Sequence, residues 1–234
     1  MRFKEQALKK AVTFSFDDGV VQDIRMIELM NKYGLKCTFN LNSELLGGHN
    51  ILIRQGLRIA HYKIAPSDVA YVYEGHEIAA HTLTHPHLRN LPENEIIRQV
   101  EEDRENLQKL AGYEIVGMAY PGGGVNNDER VAKIIRERTG VRYSRTIATT
   151  GSFGAQEDLY RYNMTAHCLQ WEDLLSLGKR FIGLKSAEPA VFSVWGHSYE
   201  MDYDPRNWIR LEEFFEMISH RDDVFYGTNR EVLL

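Results

Sequence analysis

The 234-residue chain has only two cysteines, Cys37 and Cys168, and they stand in no C-x-x-C spacing. Thiols so far apart in sequence read as buried, reduced core residues rather than as a disulfide. No apolar run approaches the roughly 18 residues that a membrane span requires. No stretch is rich in Lys or Arg, and the formal charge is −5, so the electrostatic footprint of a nucleic-acid or anionic-membrane binder is missing. The first ten residues lack the apolar segment of a signal peptide, which places the expected location in the cytoplasm. Also missing are a glycine-rich phosphate loop at the first helix, a repeat of solenoid period, a low-complexity tract and a linker rich in Pro or Gly. These absences leave one α/β domain, residues 1–234, with polymeric phosphate excluded as its expected partner.

Short β-type runs alternate with helix-period segments from end to end, the pattern of βα units on a parallel sheet. Strands are expected at Val12–Phe16, Lys36–Leu41, His76–Thr82, Ile115–Tyr120, Tyr143–Ala148, Val191–Trp195 and Val224–Tyr226. Between them lie helical stretches, one with Ile24, Ile27 and Met30 on a face and ending at Gly34. The longest starts after Pro92 and ends at Gly112, and another is capped by Asn127. Seven or so such repeats fit a distorted (β/α)7 barrel. Residues 43–74 show no clear period and read as an inserted loop, and the pattern weakens again before Trp171.

Four chemical clusters sit where strands end. Asp17 and Asp18 close the first; adjacent residues on an extended segment point to opposite sides, so two carboxylates there can have two roles. Either could instead cap the following helix. His81 and His85 follow another strand, and on a helical turn that i, i+4 pair would present two imidazoles to one cation. One carboxylate with two imidazoles accepts zinc, cobalt, nickel or iron, zinc being the leading choice. His87 lies beyond Pro86, whose extended geometry should turn it away from the pair. Tyr120-Pro121-Gly122-Gly123 forms a third cluster, whose glycines let backbone N–H groups approach a ligand or else simply make a turn. Trp195-Gly196-His197 forms the fourth. In βα barrels functional groups gather at the C-terminal ends of the strands, so the four clusters should converge.

These motifs, Thr13-Phe-Ser-Phe-Asp17-Asp18-Gly19, His81-Thr-Leu-Thr-His85, Tyr120-Pro-Gly-Gly123 and the strand ending at His197, resemble the polysaccharide deacetylase family, or carbohydrate esterase family four. The resemblance implies a single divalent metal held by Asp18, His81 and His85. It also implies Asp17 as general base, His197 as general acid and the Gly122 N–H as an oxyanion donor. Its implied reaction removes an N- or O-linked acetyl group from an oligosaccharide or glycan. Tyr120 and Trp195 are expected to stack on the sugar, and Asn42 to face the site from the second strand.

Two departures from the family pattern stand out. The arginine that orients the base in the third motif is replaced by Ala119, so either simpler surroundings serve Asp17 or another residue such as Arg145 substitutes, and the usual leucine two residues before the acid histidine is Trp195. For the partner of that histidine the candidate is Trp171 with Asp173. The same barrel also resembles that of ring-opening amidohydrolases, so hydrolysis of a small cyclic amide is one alternative. An inactive sugar-binding module is the other.

Overall fold

A computed structural model describes residues 8–54 and 56–234. The N-terminal segment read above as lacking a signal-type run lies mostly outside the described residues. The first half of the chain forms β1 (Lys10–Asp17), α1 (Gln22–Lys32), β2 (Cys37–Leu41), the hairpin strands β3 (His49–Arg54) and β4 (Leu57–Tyr62), and the single turn α2 (Val69–Val72). There follow β5 (Glu77–Ala80), α3 (Glu93–Ala111), β6 (Gly117–Ala119), α4 (Glu129–Arg138) and β7 (Tyr143–Thr149). The remainder is β8 (Tyr162–Met164), β9 (Ala166–His167), α5 (Trp171–Ile182), β10 (Ala190–Gly196), α6 (Arg206–Ile218), β11 (Val224–Tyr226) and α7 (Asn229–Leu233).

The main sheet runs β8-β7-β6-β5-β2-β1-β10-β9, with every pairing parallel. Only Thr165 separates β8 from β9, and its N–H donates to Ser193 O at 2.8 Å. β8 and β9 are thus two halves of one kinked stave that touches β7 on one side and β10 on the other. Its two contacts close a barrel of seven staves. Every residue of β1 and β10 is buried, as parallel strands covered on both faces require. Phe14 of β1 meets Phe214 and Phe215 of α6 edge-on at 6.4 and 5.2 Å, which seats that helix against the barrel wall.

The expected count of seven staves holds, but its membership differs. β11 pairs only with Lys10–Val12 at the start of β1 and is not a stave, whereas the kinked stave was not foreseen. The inserted loop at 43–74 contains the antiparallel β3–β4 hairpin, its strands largely exposed and so without the apolar alternation that would have marked them. The cap of α4 is Asp128, whose side chain accepts from Val131 N, not Asn127. α3 ends as expected at Gly112, in the left-handed conformation at φ 77°. No helix among the described residues is long and apolar enough to cross a membrane.

At the base of the barrel α7 acts as a plug. Thr228 and Glu231 form a reciprocal capping box, Asn229 N donates to Thr38 Oγ1 at 2.8 Å, and Arg230 N donates to the buried Glu77 at 2.9 Å. The opposite, C-terminal mouth is left for chemistry.

Candidate active site

β1 leaves the sheet through two consecutive left-handed residues, Asp18 at φ 83° and Gly19 at φ 62°. A non-glycine residue there is strained and marks a backbone shaped for its side chain. The kink turns both carboxylates into a cleft of about 270 Å³ lined by Asp17, Asp18, His81, His85, Gly122 and His197, with Tyr120, Trp195 and Tyr199 in its wall. Neither aspartate caps α1, whose first turn is served by Asp23 accepting from Val20 N at 3.1 Å.

Asp17 is 2% exposed. Its Oδ1 is taken by Arg145 Nη2 and by Asn40 Nδ2, the latter at 2.9 Å. Oδ2 is left facing the Nε2 atoms of His81 and His197, each 4.0 Å away. Burial alone would raise this carboxyl, but Arg145, His81 and His197 outweigh it and hold it below the ordinary carboxylate value. Asp17 is therefore an ionised carboxylate with one oxygen anchored and one free. Arg145 is itself fully buried, and its guanidinium packs 5.0 Å from the centre of the Trp195 ring. Trp195 therefore backs Arg145 as well as lining the cleft.

His81 and His85 do not lie on a helical turn. The segment is an irregular loop with Thr82 at φ 69° and His85 at φ 61°, values an α-helix excludes. Polar side chains hold it instead: Asn42 Nδ2 donates to His81 O and Thr82 O at 2.5 and 2.8 Å, and buried Asp103 of α3 accepts His81 N at 2.9 Å. Asn42 thus shapes the loop from behind rather than facing the cleft. The histidine rings still come together, with centroids 4.8 Å apart.

Ligating atoms of Asp18, His81 and His85 lie within 4.8 Å of one another. Burial pushes His81 down to about 4 and lowers His85 as well, so both imidazoles are neutral at pH 7. His81 Nδ1 lies 2.8 Å from Ala119 O, which fixes the Nδ1–H tautomer and frees Nε2 as a lone-pair donor. One carboxylate and two neutral imidazoles, one of them oriented by a backbone carbonyl, form a donor set that suits a divalent cation. His87 is exposed and sits against Gly122, where a β-carbon would come within 2.6 Å of its Nε2. With φ at 85°, that position is restricted to glycine on both counts.

Sequence reasoning missed the hairpin's contribution. His61 Nε2 lies 3.2 Å from Asp18 Oδ2, and Lys63 Nζ lies 3.4 Å from Oδ1 while donating to Asp18 O at 2.6 Å. Burial opposes ionisation of Asp18, but the hydrogen bond with His61 and the charge of Lys63, with smaller help from His197 and His81, keep it well below the ordinary value. The partner of His197 was also misplaced. Trp171 Nε1 donates to Asn207 and Asp173 lines a separate cleft, so neither reaches the histidine. Glu200, three residues on, does: its Oε2 lies 3.4 Å from His197 Nδ1 and 3.3 Å from His167 Nε2. Burial works against the imidazolium, yet Glu200 with Asp18 and Asp17 raises His197 to about 9. The i, i+3 spacing was the available signal. Tyr120 is wholly buried and donates its hydroxyl to Tyr160 O at 2.7 Å, leaving only ring surface toward the cleft.

The geometry, then, joins an ionised carboxylate, a charged imidazole and a triad of one carboxylate and two imidazole donors. Residues 4–143 match the family model described as polysaccharide deacetylase. Over 124 residues the chain is 24% identical to the peptidoglycan-N-acetylmuramic acid deacetylase PdaC of Bacillus subtilis, covering 52% of this chain and 23% of that protein. Over 107 residues it is 30% identical to the peptidoglycan-N-acetylglucosamine deacetylase of Bacillus cereus, covering 45% and 34%. In both cases the match takes in well under half of the relative. Among solved structures, a candidate polysaccharide deacetylase from Mycobacterium smegmatis superposes with a TM-score of 0.66 at 15% identity, over 96% of this chain and 89% of that one. The PdaC structure from Bacillus subtilis does so with a TM-score of 0.53 at 16% identity, over 96% and 90%. At such identities the structures speak for the fold, and the family model, which spans more than half the sequence, speaks for descent: the chain belongs to the polysaccharide deacetylase family.

Proposed function

We propose that this chain is a metal-dependent hydrolase that removes an N- or O-linked acetyl group from a carbohydrate and releases acetate. The observation that carries the reading is the free oxygen of Asp17, held between His81 and His197 at 4.0 Å from each, beside the Asp18, His81 and His85 triad. The named activities of the two peptidoglycan deacetylases give the reaction class.

In this reading Asp18, His81 and His85 hold one divalent ion, with zinc the first choice and cobalt, nickel or iron also compatible with the donors. When bound, such an ion supplies Lewis-acid chemistry, polarising an acyl carbonyl and acidifying water. Asp17 Oδ2 takes the proton of the water that attacks the acyl carbon, a role its depressed affinity for protons allows at neutral pH. Gly122 lines the same cleft, and in this reading its backbone N–H donates to the developing oxyanion. His197, charged because Glu200 stands behind it, gives its proton to the departing amine or alkoxide and leaves acetate in the cleft. Asn40 and Arg145 keep Asp17 from rotating away between turnovers.

The test is acetate release from acetylated oligosaccharides, run alongside metal analysis of the wild type and His81→Ala. Turnover with about one equivalent of metal in the wild type and neither in the variant supports the reading. A wild type that stays metal-free after add-back of all four ions and releases no acetate sinks it.

A further inference from the structure

The charges in and around the cleft pair off, with one exception. Arg145 answers Asp17, Lys63 answers Asp18, and Glu200 answers both His167 and His197. Arg54, the last residue of β3, also lines the cleft. It is exposed, its Nη1 donates to Ile53 O at 3.1 Å, and its side chain meets the Tyr203 hydroxyl. No carboxylate stands within ion-pairing distance of it among the described residues.

Its position is on the leaving-group side. Tyr203 lies 6.3 Å from Tyr199, whose ring in turn covers His197 at 5.0 Å. The cleft is at the small end of ligand pockets, with room for the acyl group and the ring that carries it. Any charged substituent of that ring has to reach outward to the rim, where the unpaired guanidinium waits. A planar fork of N–H donors matches a carboxylate in both shape and charge. A dianionic phosphate would call for a second cation, and Lys63 is already committed to Asp18 by two contacts.

We propose that the inserted hairpin makes the enzyme selective for a carboxylate-bearing acetylated sugar, with Arg54 as the residue that recognises the carboxylate. The inference rests on the deacetylase reading above and names its substrate class.

The experiment uses a matched pair of substrates: an N-acetylated amino sugar bearing a lactyl ether carboxylate, and the same sugar with that carboxylate converted to the primary amide. Metal-replete wild type should favour the acid by about ten- to hundredfold in kcat/KM, mainly through KM, as expected for one charge-assisted contact. Arg54→Ala should level the two substrates, the loss falling on the acid, and Arg54→Lys should keep part of the preference. Equal efficiency of the wild type on both, or a preference that survives Arg54→Ala, overturns the assignment while leaving the deacetylase reading standing. Failure of the wild type to release acetate from either sugar, or from any neutral acetylated oligosaccharide, overturns the parent reading and this one with it.

Discussion

Arg145 and Asp17 lie 128 positions apart in sequence, yet the guanidinium of the first closes on the carboxylate of the second in the interior of the barrel. The family's usual arginine position is Ala119, on the neighbouring stave β6, and the structure fills the same charge from one stave further round. Both side chains are essentially out of solvent, at 0% and 2% exposure. The pairing has two consequences, one for stability and one for titration.

Removing Arg145 takes the anchoring cation away from a buried carboxylate. Arg145→Ala is expected to lower unfolding stability by about 3–5 kcal/mol, as for the breaking of a buried ion pair. In the fraction that folds, the acid limb of the kcat/KM profile should move to higher pH, because the largest influence holding Asp17 down has gone. Urea unfolding and a pH–rate series check both. An unchanged acid limb would mean that Asp17 does not set it.

Asp17→Asn keeps the shape of the site and removes the base. Its kcat should fall by about 10²–10⁴, with metal content equal to that of the wild type by elemental analysis. Wild-type turnover would remove Asp17 from the base role.

His81→Ala takes away the most buried of the three donors, leaving one carboxylate and a partly exposed imidazole. Metal content after dialysis should drop from about one equivalent to near none, since three donors give the site its affinity. Full retention of metal would place the ion elsewhere.

The alkaline limb should report His197. In the proposed mechanism the protonated imidazole is the acid; Glu200 and the neighbouring aspartates keep it charged up to about pH 9, so rate should be lost as pH rises through that value. Glu200→Gln withdraws the principal charge that favours the imidazolium, so the limb should shift to lower pH while the acid limb stays in place. A limb indifferent to this change would assign it to another group.

Much of this site was readable because its chemistry sits in short contiguous motifs at the ends of strongly apolar strands. Phe16-Asp17-Asp18 and Trp195-Gly196-His197 are two such cases, and six of the seven staves followed from the alternation of periods. The parts that escaped are those whose signal is spread across the chain. Tyr162–His167 is broken at Thr165 and gives β8 three residues and β9 two, too short to show a period. The β3–β4 hairpin exposes most of its residues, so nothing in its hydropathy announced that His61 and Lys63 turn inward. The loop of His81 to His85 was read as helical from spacing alone. What decides its path is Asn42 and Asp103, neither adjacent to it in sequence.

The kinked stave at Thr165 also sets how the molecule should breathe. β7 meets β8 at only Arg145 with Tyr162 and Thr149 with Met164, with a register shift between, while β1 and β10 share seven paired positions. Amide hydrogens along the β1–β10 seam should therefore exchange slowest, and those along the β7–β8 seam should exchange early, through local opening rather than global unfolding. Because Arg145 belongs to that irregular seam, each such opening would also loosen the grip on Asp17, coupling a local fluctuation of the barrel wall to the anchoring of the buried carboxylate.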